Sequence, residues 1–85
     1  MSTEAEHNRR GLMKLMLRVP ALRGKLQIVS ASNAEMFSLC GAFEDASSTL
    51  DRLRRQGEQA NPAVVEEYES LCDEIEREII EICSS

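Results

Sequence analysis

Residues 22 to 50 carry the constraint that most limits what this chain can become. Taken at alternating steps of four and three, they give Leu22, Leu26, Val29, Asn33, Met36, Cys40, Phe43, Ser47 and Leu50. Seven of these nine are apolar, and a period of about 3.5 residues sets them along one stripe of a helix. Ile28, Phe37, Leu39, Ala46 and Leu53 lie off the strict seam and widen it. A wide stripe suits a helix in a bundle and exceeds what a two-stranded coiled coil needs. With two Pro, four Gly and few alternating apolar runs, the expected fold is all-α.

Two proline-containing stretches punctuate the pattern. Pro20 disfavours the helical conformation at Val19 and supplies no N–H, yet it suits the first position of a new helix. A break there is expected, giving a short helix over 9–19 and a long central one over 20–56. The apolar phase Leu12, Leu15, Val19, Leu22 would equally suit a kinked continuous helix. Ser32 with Glu35 three residues on has capping-box spacing, and a turn there would instead give three similar helices near 9–30, 33–57 and 62–83. The clearest boundary runs from Gly57, which can end a helix, to Asn61 and Pro62, an N-cap and first-position pair. Beyond it Val65, Tyr68, Cys72, Ile75, Ile79 and Ile82 repeat at three and four. The loop is short, so the last two helices should form an antiparallel hairpin.

A helix over 20–56 would reach roughly 55 Å, and one over 62–83 roughly 33 Å. The hairpin would then leave Leu22, Leu26, Val29, Asn33, Met36 and Phe37 to be covered by the first helix folded back or by a second chain. These six are the candidate partner-binding residues. Asn33 falls at an a position of the heptad, where a buried Asn fixes register and partner number. Its alternative role is simply to stand near a helix start at Ser32. The chain reads as one small domain over 9–84, preceded by a polar, disordered tail over 1–8 that includes His7. Thr3 or Ser2 could cap an early turn there, with nothing apolar close behind to hold it.

Charge is segregated along the chain. Residues 9 to 25 hold six basic side chains and no acid, while 58 to 85 hold nine acids against Arg77. Arg10, Lys14 and Arg18 recur every four residues as a basic outer face on the first helix, and the last helix is acidic opposite its apolar stripe. The two segments are expected either to neutralise each other or to present the basic helix to an acidic partner. Nucleic acid is the less favoured partner. The acids repel phosphate, and no Phe, Tyr or Trp is interleaved with the basic residues for base stacking. Arg52, Arg54 and Arg55 sit where a helix C-terminus favours cations.

No run is long and apolar enough to cross a bilayer, and the charged first twenty residues do not resemble a signal peptide, so a cytoplasmic or nuclear address is expected. Cys40, Cys72 and Cys83 lack metal-ligand spacing and fall on apolar stripes, where a thiol serves as a small hydrophobe. No phosphate loop, nucleophile–base pair or metal motif stands out, so neither enzymatic activity nor a cofactor or metal is expected. The few apolar side chains and the entropy of ordering the chain are of the same order, so association should complete the core. The expected function is a protein–protein interaction module, either a small helical homodimer or a subunit or adaptor of a larger helical assembly. The alternatives are a small nucleic-acid regulator built as a dimeric helical hairpin, or an acidic inhibitor of a nucleic-acid-binding protein.

Overall fold

A single extended residue, Asn33, decides the architecture. In the computed structural model, which describes residues 3–84, the chain forms α1 (Glu4–Arg18), α2 (Arg23–Ser32), α3 (Ala34–Gln56) and α4 (Pro62–Ser84). No strand occurs among the described residues, and the four helices pack against one another as an all-α fold. The expected continuous helix over 20–56 is corrected by Asn33. Its backbone sits at φ −126° and ψ 100°, and its Oδ1 accepts the Met36 N–H at 3.0 Å, so it ends α2 and caps α3.

Ser32, the cap that its spacing to Glu35 suggests, is turned the other way. Its hydroxyl donates back to the Ile28 and Val29 carbonyls, and that of Ser30 to the Gln27 carbonyl. Such back-bonding competes with the helical ladder and makes this the weak point of the segment. Pro20 breaks the chain as well, through one 3₁₀ turn over Pro20–Leu22. Both candidate breaks are therefore used. Because the second costs only one extended residue, the apolar phase runs on across it, and Leu26 and Met36 both reach the core, at 1% and 0% exposure.

The disordered tail expected over 1–8 is also corrected over its described part, 3–8. α1 starts at Glu4, and Thr3 Oγ1 accepts the Glu6 N–H at 3.1 Å. Ser2, the other candidate cap, lies outside the described residues. Tertiary contacts hold this first turn: Asn8 is buried beside Gly41, and His7 Nε2 donates to Asp45 Oδ1 at 2.7 Å. Two glycines make the approach of α1 to α3 possible. A Cβ at Gly11 would run into the Cys40 backbone carbonyl, and one at Gly41 into the Asn8 side-chain amide.

The hairpin forms as its boundary residues predict. Gly57, at φ +60°, ends α3 in a conformation that side chains resist. Asn61 Oδ1 accepts the Ala63 N–H at 2.9 Å, and Pro62 opens α4. With 23 residues each, α3 and α4 are matched in length at roughly 35 Å. Leu12, Leu15, Leu26, Met36, Phe43 and Ile79 fill the centre. Cys40, Cys72 and Cys83 are buried and free among them, as small hydrophobes. Burial pushes the Cys40 thiol up to about 11, and raises those of Cys72 and Cys83 too. The molecule measures 41 × 31 × 19 Å.

Candidate docking surface

The expected basic outer face of α1 is corrected: of its three residues, Arg10 alone forms no ion pair with a described residue. Lys14 Nζ lies 3.0 Å from Glu44 Oε2 on α3 and donates to Ser47 and Ser48 at 3.0 and 3.2 Å. Ser48 in turn donates to Glu44 Oε1 at 2.7 Å. Burial pushes the Glu44 carboxyl up, but the Ser48 hydroxyl and the Lys14 ammonium together outweigh it and hold the group below the usual carboxylate range. Arg18 Nε donates to Glu76 Oε1 on α4 at 2.6 Å, with the guanidinium 5.7 Å from the centre of the Phe43 ring. Lys14 and Arg18 therefore tie α1 to α3 and α4. Opposite charges at the two ends of the sequence partly neutralise within one chain.

The six residues predicted to bind a partner have other places. Leu26 and Met36 are core, Leu22, Val29 and Phe37 are half-buried against it, and Asn33 is a helix cap. The prediction rested on a central helix too long for its hairpin. Once the chain breaks at Asn33, α1 and α2 supply the missing cover. Of the two covers expected, the first helix folded back supplies a lid within the chain.

A different surface is left bare. Met13 is 56% and Leu17 74% exposed, one turn apart on the side of α1 that faces away from α3. Arg9 and Arg10 flank Met13 around a shallow cleft, and neither forms an ion pair with a described residue. Met13 and Leu17 are out of phase with Leu12, Leu15 and Val19. That second apolar phase is the signal in the sequence that could have found them.

The end of α1 abuts an open groove. Leu17 and Arg18 lie beside Ser47 and Asp51 of α3, at one end of a depression of about 290 Å³. It continues between α3 and α4 past Leu50 and Cys72. Beyond that it opens into a groove of about 700 Å³ lined only by α3, the connecting loop and α4, with Leu53, Ala60, Pro62 and Val65 as its apolar part. Adjacent sections share Arg18 and Asp51, then Arg54, Glu69 and Asp73, so they lie end to end, with the Arg54–Glu69 ion pair lining both of the last two. It exists because α1 stops short of the hairpin end. No residue spacing in the sequence carries that information.

Charge along the groove is uneven once pairs are removed. Lys14 is paired with Glu44, Arg18 with Glu76, and Arg54 with Glu69 at 3.3 Å. Asp51, Glu66 and Asp73 then remain as carboxylates without an ion pair. Ile28 and Leu71 are also exposed but line none of these sections. Isolated apolar side chains of that kind are ordinary on a protein surface.

Among the described residues, no group of three or more His, Cys, Asp or Glu is placed to hold a metal ion. No helix among them is long and apolar enough to cross a membrane. Compared with protein-family models, with curated proteins and with solved structures, the chain finds no match in any of the three.

Proposed function

We propose that the protein is a non-enzymatic protein–protein interaction module, a small helical subunit or adaptor that docks through the outer face of α1 and the adjoining α3–α4 groove. One observation carries this reading: an apolar pair, Met13 and Leu17, stands on the surface, and Leu17 lies at the end of a charge-lined depression that leads toward the apolar α3–α4 groove. Exposed apolar side chains rimmed by charge are a usual mark of a protein interface. Phosphate binding would draw on Arg10, Lys14 and Arg18 together, and two of these are already engaged by carboxylates. Three free, buried thiols fit a reducing compartment, and we place the function in the cytoplasm or nucleus.

The test is site-specific photo-crosslinking in the cells that make the protein. A photoreactive side chain at Leu17 or Leu53 should give a discrete protein adduct, and one at Glu78, on the exposed face of α4, should give none. Equal labelling at all three positions, or no adduct at the first two, would contradict the proposal.

A further inference from the structure

We infer that the occupant of this surface is a second copy of the chain, bound about a twofold axis so that α1 of each copy lies in the groove of the other. The inference rests on the interaction-module reading and names its partner. Two physical matches support it.

The first is shape. α1 packs against α3 and stops at Leu17 and Arg18, beside Ser47 and Asp51, so the surface drops by one helix where α3 runs on uncovered by α1. Packed helices lie about 8–10 Å apart, which sets the height of that step. A second copy turned over about an axis near Leu17 and Asp51 puts its own raised helix on the first copy's lowered floor. The reverse contact forms at the same time. Lengths agree as well: Arg9 to Leu17 spans roughly 12 Å of helix, and Ser47 to Gly57, the α3 wall of the groove, roughly 15 Å.

The second is charge. The outer face of α1 offers Arg9 and Arg10, with Glu6 beside them, and neither arginine forms an ion pair with a described residue; in the groove the same holds of Asp51, Glu66 and Asp73. The α1 half of the patch is therefore positive on balance and the groove half negative. Because the halves are contiguous, a twofold pairing uses both twice and closes on itself. A foreign acidic helix would satisfy the arginines and leave the groove empty. A basic one would do the opposite.

Sedimentation equilibrium from about 1 to 100 μM tests the inference. Wild type should show the mass of two chains. Leu17→Asp should be a monomer with unchanged helix content, since the side chain is exposed. Arg9→Glu with Arg10→Glu, and separately Glu66→Lys with Asp73→Lys, should each weaken the dimer by about tenfold or more, and the chain carrying all four should recover most of that affinity. Losses that add up in the fourfold variant would overturn the pairing of α1 with the groove. A wild-type monomer that crosslinks to a foreign protein through Leu17 and Leu53 would overturn the second copy while leaving the module intact. A monomer with no adduct would remove both.

Discussion

Gly11 and Gly41 look alike in the sequence but differ in what stands over them. Alanine at Gly11 meets the Cys40 backbone carbonyl, which cannot move without separating α1 from α3. The gain in helix propensity, about 1 kcal/mol, is outweighed by that overpacking, and Gly11→Ala should lose about 2 kcal/mol net in a urea titration. Gly41→Ala meets side-chain rather than backbone atoms, chiefly the buried Asn8 amide, so its loss should be smaller than that of Gly11→Ala, about 1 kcal/mol. Glu44 supplies a pH signature. Its carboxyl is held below the ordinary value of 4.5 in the fold, so it contributes stability that is fully present above that value and lost as pH falls through the lower folded one. Glu44→Gln should lower Tm at neutral pH and flatten the fall of Tm on acidification below about pH 4.5. A fall as steep as that of wild type would mean that the Lys14–Glu44–Ser48 contacts contribute nothing.

The elements show how far a linear pattern reaches. The hairpin was legible from Gly57, Asn61 and Pro62 because each acts on backbone within a few residues of itself. The helical class and the burial of Cys40, Phe43 and Leu50 followed from the apolar period. The break near Asn33 was legible only as the alternative that Ser32 and Glu35 offer, and with the wrong residue as its cap, because one extended residue leaves that period almost in phase on both sides. The start of α1 was hidden for a different reason. Its cap, Thr3, is local, but what stabilises the turn is Asp45 and Gly41, more than thirty residues away. The α3–α4 groove is further removed still, since it depends on where α1 ends over α3. Asn33 gives the element-scale test. As a cap, Asn33→Ala should cost about 1 kcal/mol by chemical denaturation, whereas Asn33→Asp should be nearly neutral. An Asn paired in a buried seam would tolerate aspartate far less well.

At the scale of the whole molecule, segregated charge and a stepped shape are two aspects of one arrangement. Lys14 and Arg18 of α1 are engaged by Glu44 and Glu76, while Arg9, Arg10 and the carboxylates of Asp51, Glu66 and Asp73 form no ion pair with a described residue. On the proposed twofold pairing, neutralisation is divided between the fold and the assembly. The most direct measurement is a dilution series followed by methyl NMR. The account predicts that the methyl signals of Met13, Leu17, Leu53 and Val65 shift together with one dissociation constant, while Ile28 and Leu71, exposed but outside the surface, stay fixed. Movement at Ile28 or Leu71 with the first four unchanged, or no movement anywhere, would contradict it.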